Sequence, residues 1–172
     1  MDKSGVIRTE RLILRPLRAE DAKPIAEGIG HWDIIKWLTT PPWPYGLADA
    51  EWFVKAPAGA EARAIDVNGE LAGIIGLHGG KRGADLDLGY WLNIRHHGKG
   101  YMTEAARALV ADYFAKGGTR LVSGYLVGNA ASCNVLTKLG FLPTEVITEI
   151  SVPIGHLVRC QRMVLTHADW SL

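Results

Sequence analysis

Two cysteines, Cys133 and Cys160, are all that the 172 residues offer toward disulfides or thiolate ligands. They make neither a metal-ligand spacing nor a disulfide framework. Charge of one sign is also missing. Nineteen Lys and Arg stand against 18 Asp and Glu, a formal net charge of +1. That balance excludes an extended nucleic-acid footprint and leaves room only for a local basic groove. No apolar run approaches the ~20 residues that a membrane span needs. The opening residues Met1-Asp2-Lys3-Ser4-Gly5 are polar and lead into a strand, so no signal peptide is expected. No internal repeat or low-complexity segment interrupts the chain. Hydrophobic residues at 48% and charged residues at 22% are ordinary globular usage and exclude disorder. One domain over 1–172, with a full core and a cytoplasmic setting, is expected.

Glycine, by contrast, is plentiful at 20 residues, and its placement organises the chain around Leu88 to Phe114. That stretch opens as an apolar strand, Leu88-Gly89-Tyr90-Trp91-Leu92. It passes through a basic turn, Arg95-His96-His97-Gly98-Lys99-Gly100. It ends as a helix whose apolar residues Met102, Ala105, Ala106, Leu109, Val110, Tyr113 and Phe114 recur at helical spacing. Glycines let a backbone approach an anion closely, and the free N–H groups and dipole of the helix start favour negative charge there. A nucleoside-triphosphate loop needs Gly-Lys-Ser/Thr, but Gly98-Lys99 is followed by Gly100. A dinucleotide fingerprint needs a third glycine where Thr103 stands. Arg-x-x-Gly-x-Gly at a strand-to-helix junction remains. On those residues alone, a phosphate site and a tight ligand-free turn both fit.

The rest of the chain reads as short elements around this unit. Arg11 to Leu17 is a strand with Leu12 and Leu14 on one face, and Pro16 marks an edge or an end. A helix opens at Asp21 and runs to about Ile29 with Pro24 in its first turn. A second helix lies within His31 to Leu38, a proline-rich loop spans Thr39 to Leu47, and Ala48 to Lys55 is again helical. Ala62 to Val67 and Leu71 to His78 are strands joined by the Asn68-Gly69 turn. A glycine-rich tip, 79–83, leads into the strand Asp85 to Leu92. Gly117-Gly118 stops the central helix. A strand over Arg120 to Val127, a helix over Asn129 to Leu139 and strands over about Thr144 to Ser151 and His156 to Leu165 follow. The fold class is α+β in three layers: a mixed, mostly antiparallel sheet with helices on both faces.

A second motif lies in Asn129 to Phe141, NAASCNVLTKLGF. Asn129 suits an N-cap, Val135, Leu136 and Leu139 face the core, and Gly140 supplies a left-handed stop. Ser132 is left over one turn into the helix, either solvent-facing or functional. Taken together, Arg-x-x-Gly-x-Gly and Asn-x-x-Ser-x-x-Val-Leu-x-Lys-Leu-Gly-Phe resemble the GNAT acyl-CoA N-acyltransferases. Thr9 to Leu17 (TERLILRPL) and Gly89-Tyr90-Trp91-Leu92 resemble one branch, the ribosomal-protein N-terminal (Rim-type) acetyltransferases. The likeness spans about Thr9 to Leu165.

The resemblance implies a V-shaped splay between two central strands and acetyl transfer from acetyl-CoA to a primary amine, with no metal. It implies that the pantetheine arm pairs along Leu92, Asn93 and Ile94. The pyrophosphate would sit on His97, Gly98, Lys99, Gly100 and Tyr101, with Arg95 beside it. Asn129 would touch the arm, and Ser132 would lie near the sulfur as the acid for the leaving thiolate. The expected partners are acetyl-CoA and an amine acceptor, either a protein or peptide N-terminus or a small amine. Neither nucleic acid nor membrane is expected, and the chain would be a monomer or homodimer. An acyl-CoA-binding regulator of the same fold without turnover is the alternative.

Three further readings come from the residues. Asp85 and Asp87 alternate onto one strand face with Gly89. Asp87, where the Rim-type branch usually has Glu, is the candidate base. Asp85 is a candidate substrate contact, and either acid is otherwise a solvated or substrate-attracting charge. Leu86, Leu88, Tyr90 and Leu92 take the core-facing side. Cys133 as an acyl-carrying nucleophile is disfavoured, because neighbouring helical residues point about 100° apart and no histidine is spaced to activate it. Zinc on His78, His96 and His97 lacks a clear ligand set. Trp32, Trp37, Trp43, Tyr45 and Trp52 crowd the segment that forms the acceptor wall in the family. Trp37 and Trp52 are expected to pack helices onto the sheet, and Trp43, among three prolines, to contact substrate.

Overall fold

A computed structural model describes residues 5–56, 62–79 and 85–170. Eight strands form one sheet: β1 (Ile7–Arg8), β2 (Ile13–Pro16), β3 (Ala62–Val67), β4 (Glu70–Gly79), β5 (Leu86–Leu92), β6 (Arg120–Leu126), β7 (Leu142–Ser151) and β8 (His156–Thr166). Their spatial order is β1-β2-β3-β4-β5-β6-β8-β7. Every neighbouring pair is antiparallel except β5 and β6, which run parallel. Five helices, α1 (Ala22–Ile29), α2 (Trp32–Ile35), α3 (Leu47–Lys55), α4 (Tyr101–Ala115) and α5 (Ala130–Lys138), cover the sheet. The α+β architecture expected from the sequence is therefore present.

Each sheet face has its own apolar layer. On one, α4 and α5 bury Met102, Ala106, Val110 and Leu136 against Leu14, Leu88, Leu121 and Leu165. On the other, α1 and α3 bury Ile25, Ile29 and Ala50 against Ala64, Leu71 and Ile74. Each fully buried Leu or Ile contributes roughly 1.5–3 kcal/mol relative to exposure. This double cover explains why β3, β4 and β5 read as apolar runs without clean alternation. Pro24 stands third in α1, where its missing N–H has no helical partner to lose.

A charged network ties β2 and β3 to the start of α1. The buried Arg15 guanidinium donates to Asp21 Oδ2 at 2.8 Å and Oδ1 at 2.9 Å, and to Asp66 Oδ2 at 3.0 Å. Backbone donors add to it: Arg18 N donates to Asp21 Oδ2 and Gly69 N to Asp66 Oδ1, each at 2.7 Å. Asn68 and Gly69 both adopt positive φ, 54° and 89°, as the expected tight turn between β3 and β4 requires.

Three elements differ from expectation. The strand expected over Arg11 to Leu17 contracts to Ile13–Pro16 and gains a short neighbour, β1, because Thr9 N and Thr9 Oγ1 turn back onto Leu12. The second helix is only Trp32–Ile35. The strand expected from Thr144 begins at Leu142, with a bulge between Pro143 and Val146 where proline cannot donate to the ladder. Apart from Gly79, which ends β4, the expected glycine-rich tip 79–83 lies outside the described residues.

Candidate active site

Strands β5 and β6 pair at two positions only, Leu86 with Leu121 and Asp87 with Val122. Ser123 Oγ then donates to the Leu88 carbonyl at 2.8 Å, and beyond it the strands have no shared register. Asn93 N donates to Ala72 O on β4. By the alternation of an antiparallel ladder, the backbone groups of Tyr90 and Leu92 therefore face the opening. A cleft of 1330 Å³ passes through it. Tyr90 and Ser132 line it from the α4–α5 side, and Asp87, Trp91 and Arg162 line it from the other.

At the mouth of this opening the chain makes the basic turn. Gly98 and Gly100 have φ of 73° and 78°, and Gly100 caps α4 in the left-handed conformation. Among the described residues, the N–H groups of Gly98, Lys99, Gly100 and Tyr101 have no hydrogen-bond acceptor, and they lie in one run at the start of α4, a cradle that can hold an anion. His97 does not join it, contrary to the expectation from sequence. Its N–H donates to Ile94 O at 3.0 Å, closing the 3-10 turn Ile94–His96, and its Nε2 lies 2.7 Å from Leu92 O. Of the arm-pairing groups expected on β5, the Leu92 carbonyl and the Asn93 N–H are thus already engaged. The Leu92 N–H faces the opening, and the Ile94 N–H has no acceptor among the described residues. Arg95 and Lys99 point outward; Arg95 makes only a 3.6 Å contact with Glu70.

The cradle is braced from behind by Arg11, which no local sequence pattern singles out. Its Nη1 donates to Lys99 O at 2.9 Å, its guanidinium stacks 4.8 Å from the Tyr101 ring, and Nε and Nη2 each hold Glu104 Oε2 at 2.7 Å. Burial works against the charged Glu104. Bonds from Thr9 Oγ1, the Arg11 amide and the Arg11 guanidinium outweigh it and hold the carboxyl below its ordinary range. The pair leaves the cradle's positive field uncancelled.

His96 sits beneath the turn at 8% exposure, and neither ring nitrogen has a hydrogen-bond partner. Burial, then the charges of Arg95 and Lys99, push its pKa below the ordinary imidazole value. A group depressed in this way leaves stability intact above the unfolded value of ~6.5 and erodes it as pH falls toward the folded value. His96→Phe removes two unsatisfied atoms and is expected to raise stability by about 1 kcal/mol and to flatten that acid-side loss. Thermal melts at pH 7.5 and 5.5 check both; an unchanged slope between them would refute the assignment.

On the α5 side, Asn129 caps the helix by accepting from Ser132 N at 3.1 Å. Tyr90 Oη lies 2.9 Å from Ser132 Oγ. Burial pushes the Tyr90 phenol up to about 12, against the opposing bond to Ser132, so it remains a neutral donor. Expected only as a core-facing residue, Tyr90 instead lines the cleft. Its hydroxyl is the signal that strand alternation could not supply, because the partner lies 42 positions away in sequence.

On the acceptor side, Asp87 Oδ2 accepts from Arg162 Nη2 at 2.7 Å, and Asp85 Oδ2 from Arg120 Nη1 at 2.8 Å. Arg162 reaches Asp87 across Gly124, where an added Cβ would meet its Nη1 at 3.0 Å. Burial opposes the Arg162 charge, but the Asp87 bond outweighs it and raises the guanidinium pKa. Protonating Asp87 would strip a half-buried arginine of its counter-charge. Trp43, the expected substrate contact, does not line the cleft; its ring packs 5.0 Å from Trp32. The wall is instead Trp37, Pro41, Pro42, Tyr45 and Trp52. Trp52, expected to pack on the sheet, is 71% exposed.

A diphosphate-bearing thioester fits these residues: unpartnered N–H groups at a helix start, open strand edges beyond them, and a hydroxyl pair at the far end. No group of metal-ligating side chains occurs among the described residues, and none of their helices is long and apolar enough to cross a membrane.

The sequence model of the acetyltransferase (GNAT) domain matches residues 11–142. No curated protein matches the sequence. Solved structures share the fold. An acetyltransferase (GNAT family) from Bacillus anthracis is 22% identical, with 94% of this chain and 98% of that one covered at a TM-score of 0.82. The microcin C7 self-immunity acetyltransferase MccE, in complex with acetyl-CoA and AMP, is 20% identical over 96% and 97% at 0.79. Mycobacterium smegmatis RimJ, in complex with a CoA disulfide, is 19% identical over 96% and 89% at 0.78.

Proposed function

The chain belongs to the acetyltransferase (GNAT) family and is an acetyl-CoA-dependent N-acetyltransferase, and from that premise we propose that its acceptor is an α-amine, that of a peptide or protein N-terminus or of a small molecule. The observation that carries this is the cleft running through the β5–β6 opening, which brings a thioester from one sheet face against an amine from the other. Its 1330 Å³ exceeds the ~300–1,000 Å³ of a single small-ligand pocket and suits two substrates at once.

The Gly98–Tyr101 cradle holds the pyrophosphate, with Arg95 and Lys99 adding charge at its rim. The Leu92 and Ile94 N–H groups align the pantetheine arm and polarise the thioester carbonyl. Asn129, its oxygen held by Ser132 N, offers its amide nitrogen to the arm. The neutral amine attacks the carbonyl carbon, a C–N bond forms, the C–S bond breaks, and the sulfur takes the electron pair. Ser132 donates a proton to that sulfur and regains one through Tyr90 from water, which takes up the proton that the nitrogen loses on becoming an amide. Asp87 and Asp85 stand at the acceptor mouth, each held by its arginine partner.

An α-amine follows from the proton balance. With pKa ~8, it gives up about 1.4 kcal/mol at pH 7, whereas a lysine-like amine near 10.4 gives up about 4.6 kcal/mol. Both acids at the mouth are already paired, which favours the cheaper acceptor. The Rim-like stretches Thr9–Leu17 and Gly89–Leu92, and RimJ among the structural neighbours, support the same class. The test is CoA release from acetyl-CoA with Ala-, Ser- and Met-starting peptides, free amino acids, spermidine and an aminoglycoside. Release with α-amines is expected; turnover confined to spermidine or the aminoglycoside would overturn the assignment.

A further inference from the structure

His78 lies near the end of β4, directly across from Asp87 on β5. Its imidazole does not extend along its own strand. It lies over Gly89: a Cβ built there would come within 2.7 Å of Cε1, 3.5 Å of Nδ1 and 3.8 Å of Nε2. The missing side chain of Gly89 leaves the space that the ring occupies on β5, the strand that borders the opening. Gly124 does the same on the other side of that opening, where the Arg162 guanidinium crosses β6. The two glycines thus bring an imidazole and a guanidinium over the acceptor side of the cleft from opposite flanks.

The two groups are in different situations. Arg162 is locked to Asp87 at 2.7 Å. His78 is exposed within the cleft wall, and neither ring nitrogen has a hydrogen-bond partner among the described residues. Among the described residues, the charged groups that share the cleft with it are Asp87 across the ladder, held by Arg162, Asp85, held by Arg120, and Asp49, Glu145 and Glu149.

We propose that His78 is the general base of the acetyl transfer, taking the proton from the acceptor amine. This rests on the transfer reading above and replaces Asp87 as proton acceptor. A neutral ring nitrogen accepts one proton from the ammonium, directly or through one water. The amine lone pair is then free to attack, and the imidazolium returns the proton to water after the product leaves. An imidazole is suited to this because its ordinary pKa lies close to that of an α-amine and near working pH.

The test uses the acceptor with the highest turnover in the panel. His78→Ala and His78→Gln are expected to lower kcat/KM at pH 7 by about 100-fold or more, with the Kd of acetyl-CoA within twofold of wild type. The acid-side limb of the log kcat/KM profile should lose the ionisation that belongs to the enzyme and keep only that of the acceptor amine, and added imidazole should restore turnover to His78→Ala. Gly89→Ala, which pushes the ring off β5, should reproduce the loss with His78 intact. A kcat/KM within threefold of wild type in both His78 variants, with the enzyme's own acid-side ionisation retained, would overturn the proposal and return the role to Asp87. A wild-type chain that binds acetyl-CoA but releases no CoA with any acceptor would instead refute the transfer itself, and the base with it.

Discussion

Replacing Arg15 by methionine is expected to lower the free energy of unfolding by about 3–5 kcal/mol, because it leaves two carboxylates facing each other in a space closed to water. Arg15 is 8% exposed, and Asp21 and Asp66 are 4% and 9% exposed. A domain of this size holds only about 5–15 kcal/mol in total, so the variant sits near the edge of folding at 37 °C. The loss is not that of one ion pair. Asp21 opens α1 and accepts from Arg18 N, and Asp66 accepts from Gly69 N at the β3–β4 turn. Without Arg15 the helix that walls the acceptor cleft and the hairpin that carries His78 lose their common tie to β2. Urea unfolding gives the value. Arg15→Met combined with Asp66→Asn should cost less than the sum of the two single changes, since it also removes a stranded charge. Lys116→Met, which breaks the exposed pair with Asp112, should change stability by less than about 0.5 kcal/mol. A loss in Arg15→Met no larger than that in Lys116→Met would show that the network contributes nothing beyond its surface equivalent.

Local signals were legible in the sequence wherever one residue type alone determines the backbone. Asn68-Gly69 demanded positive φ, Gly140 demanded the left-handed region, and Asn129 demanded an N-cap; each is found so. The α4 face was equally legible: Met102, Ala105, Ala106, Leu109, Val110 and Phe114 are buried, and Tyr113 alone of the expected stripe is half-exposed, covering Gly118. The sheet beyond these signals depended on distant pairings. β1 exists only because Thr9 folds back on Leu12, and Thr9 is held there by Glu104, 95 positions away. No window of sequence contains that contact.

Within the site, the split is the same. The basic turn is one continuous stretch, so its glycines marked it as a candidate anion site, although the commitment of the His97 N–H to Ile94 is a detail of the 3-10 turn. The acids on β5 were found by strand alternation, but their roles turn on Arg162 and Arg120, which β8 and β6 bring from elsewhere. Trp43 was favoured for its setting among prolines. Those prolines instead turn the chain so that Trp43 rests on Trp32 and leaves Trp37 and Tyr45 on the cleft. In the sequence Tyr90 was only a core-facing residue and His78 only part of a poor zinc set; the contacts that set them on the cleft, with Ser132 Oγ and over Gly89, come from other elements.

Ser132→Ala is expected to lower kcat by about 30- to 100-fold while leaving the Kd of acetyl-CoA within about threefold, since its hydroxyl acts on charge that appears on sulfur only as the C–S bond breaks. Tyr90→Phe should show a smaller loss of the same kind, because it removes the 2.9 Å partner of Ser132 Oγ without removing the group that meets the sulfur. If the two hydroxyls act as one relay, the double variant is no slower than Ser132→Ala, and the coupling energy equals the whole effect of Tyr90→Phe. Two independent donors would instead multiply their losses. Leaving-group chemistry separates this from a packing effect. An acetyl thioester of a more acidic thiol needs less help from a donor, so the deficit of Ser132→Ala should shrink with it, whereas a distorted helix start would slow both donors equally. Tyr90 has its phenol pushed up to about 12, so the relay adds no limb of its own between pH 6 and 9. Single-turnover rates with both thioesters, measured across that range, decide the matter. A deficit independent of the thiol, or a kcat unchanged in Ser132→Ala, removes the hydroxyl pair from the proton path and leaves the thiolate to depart into water.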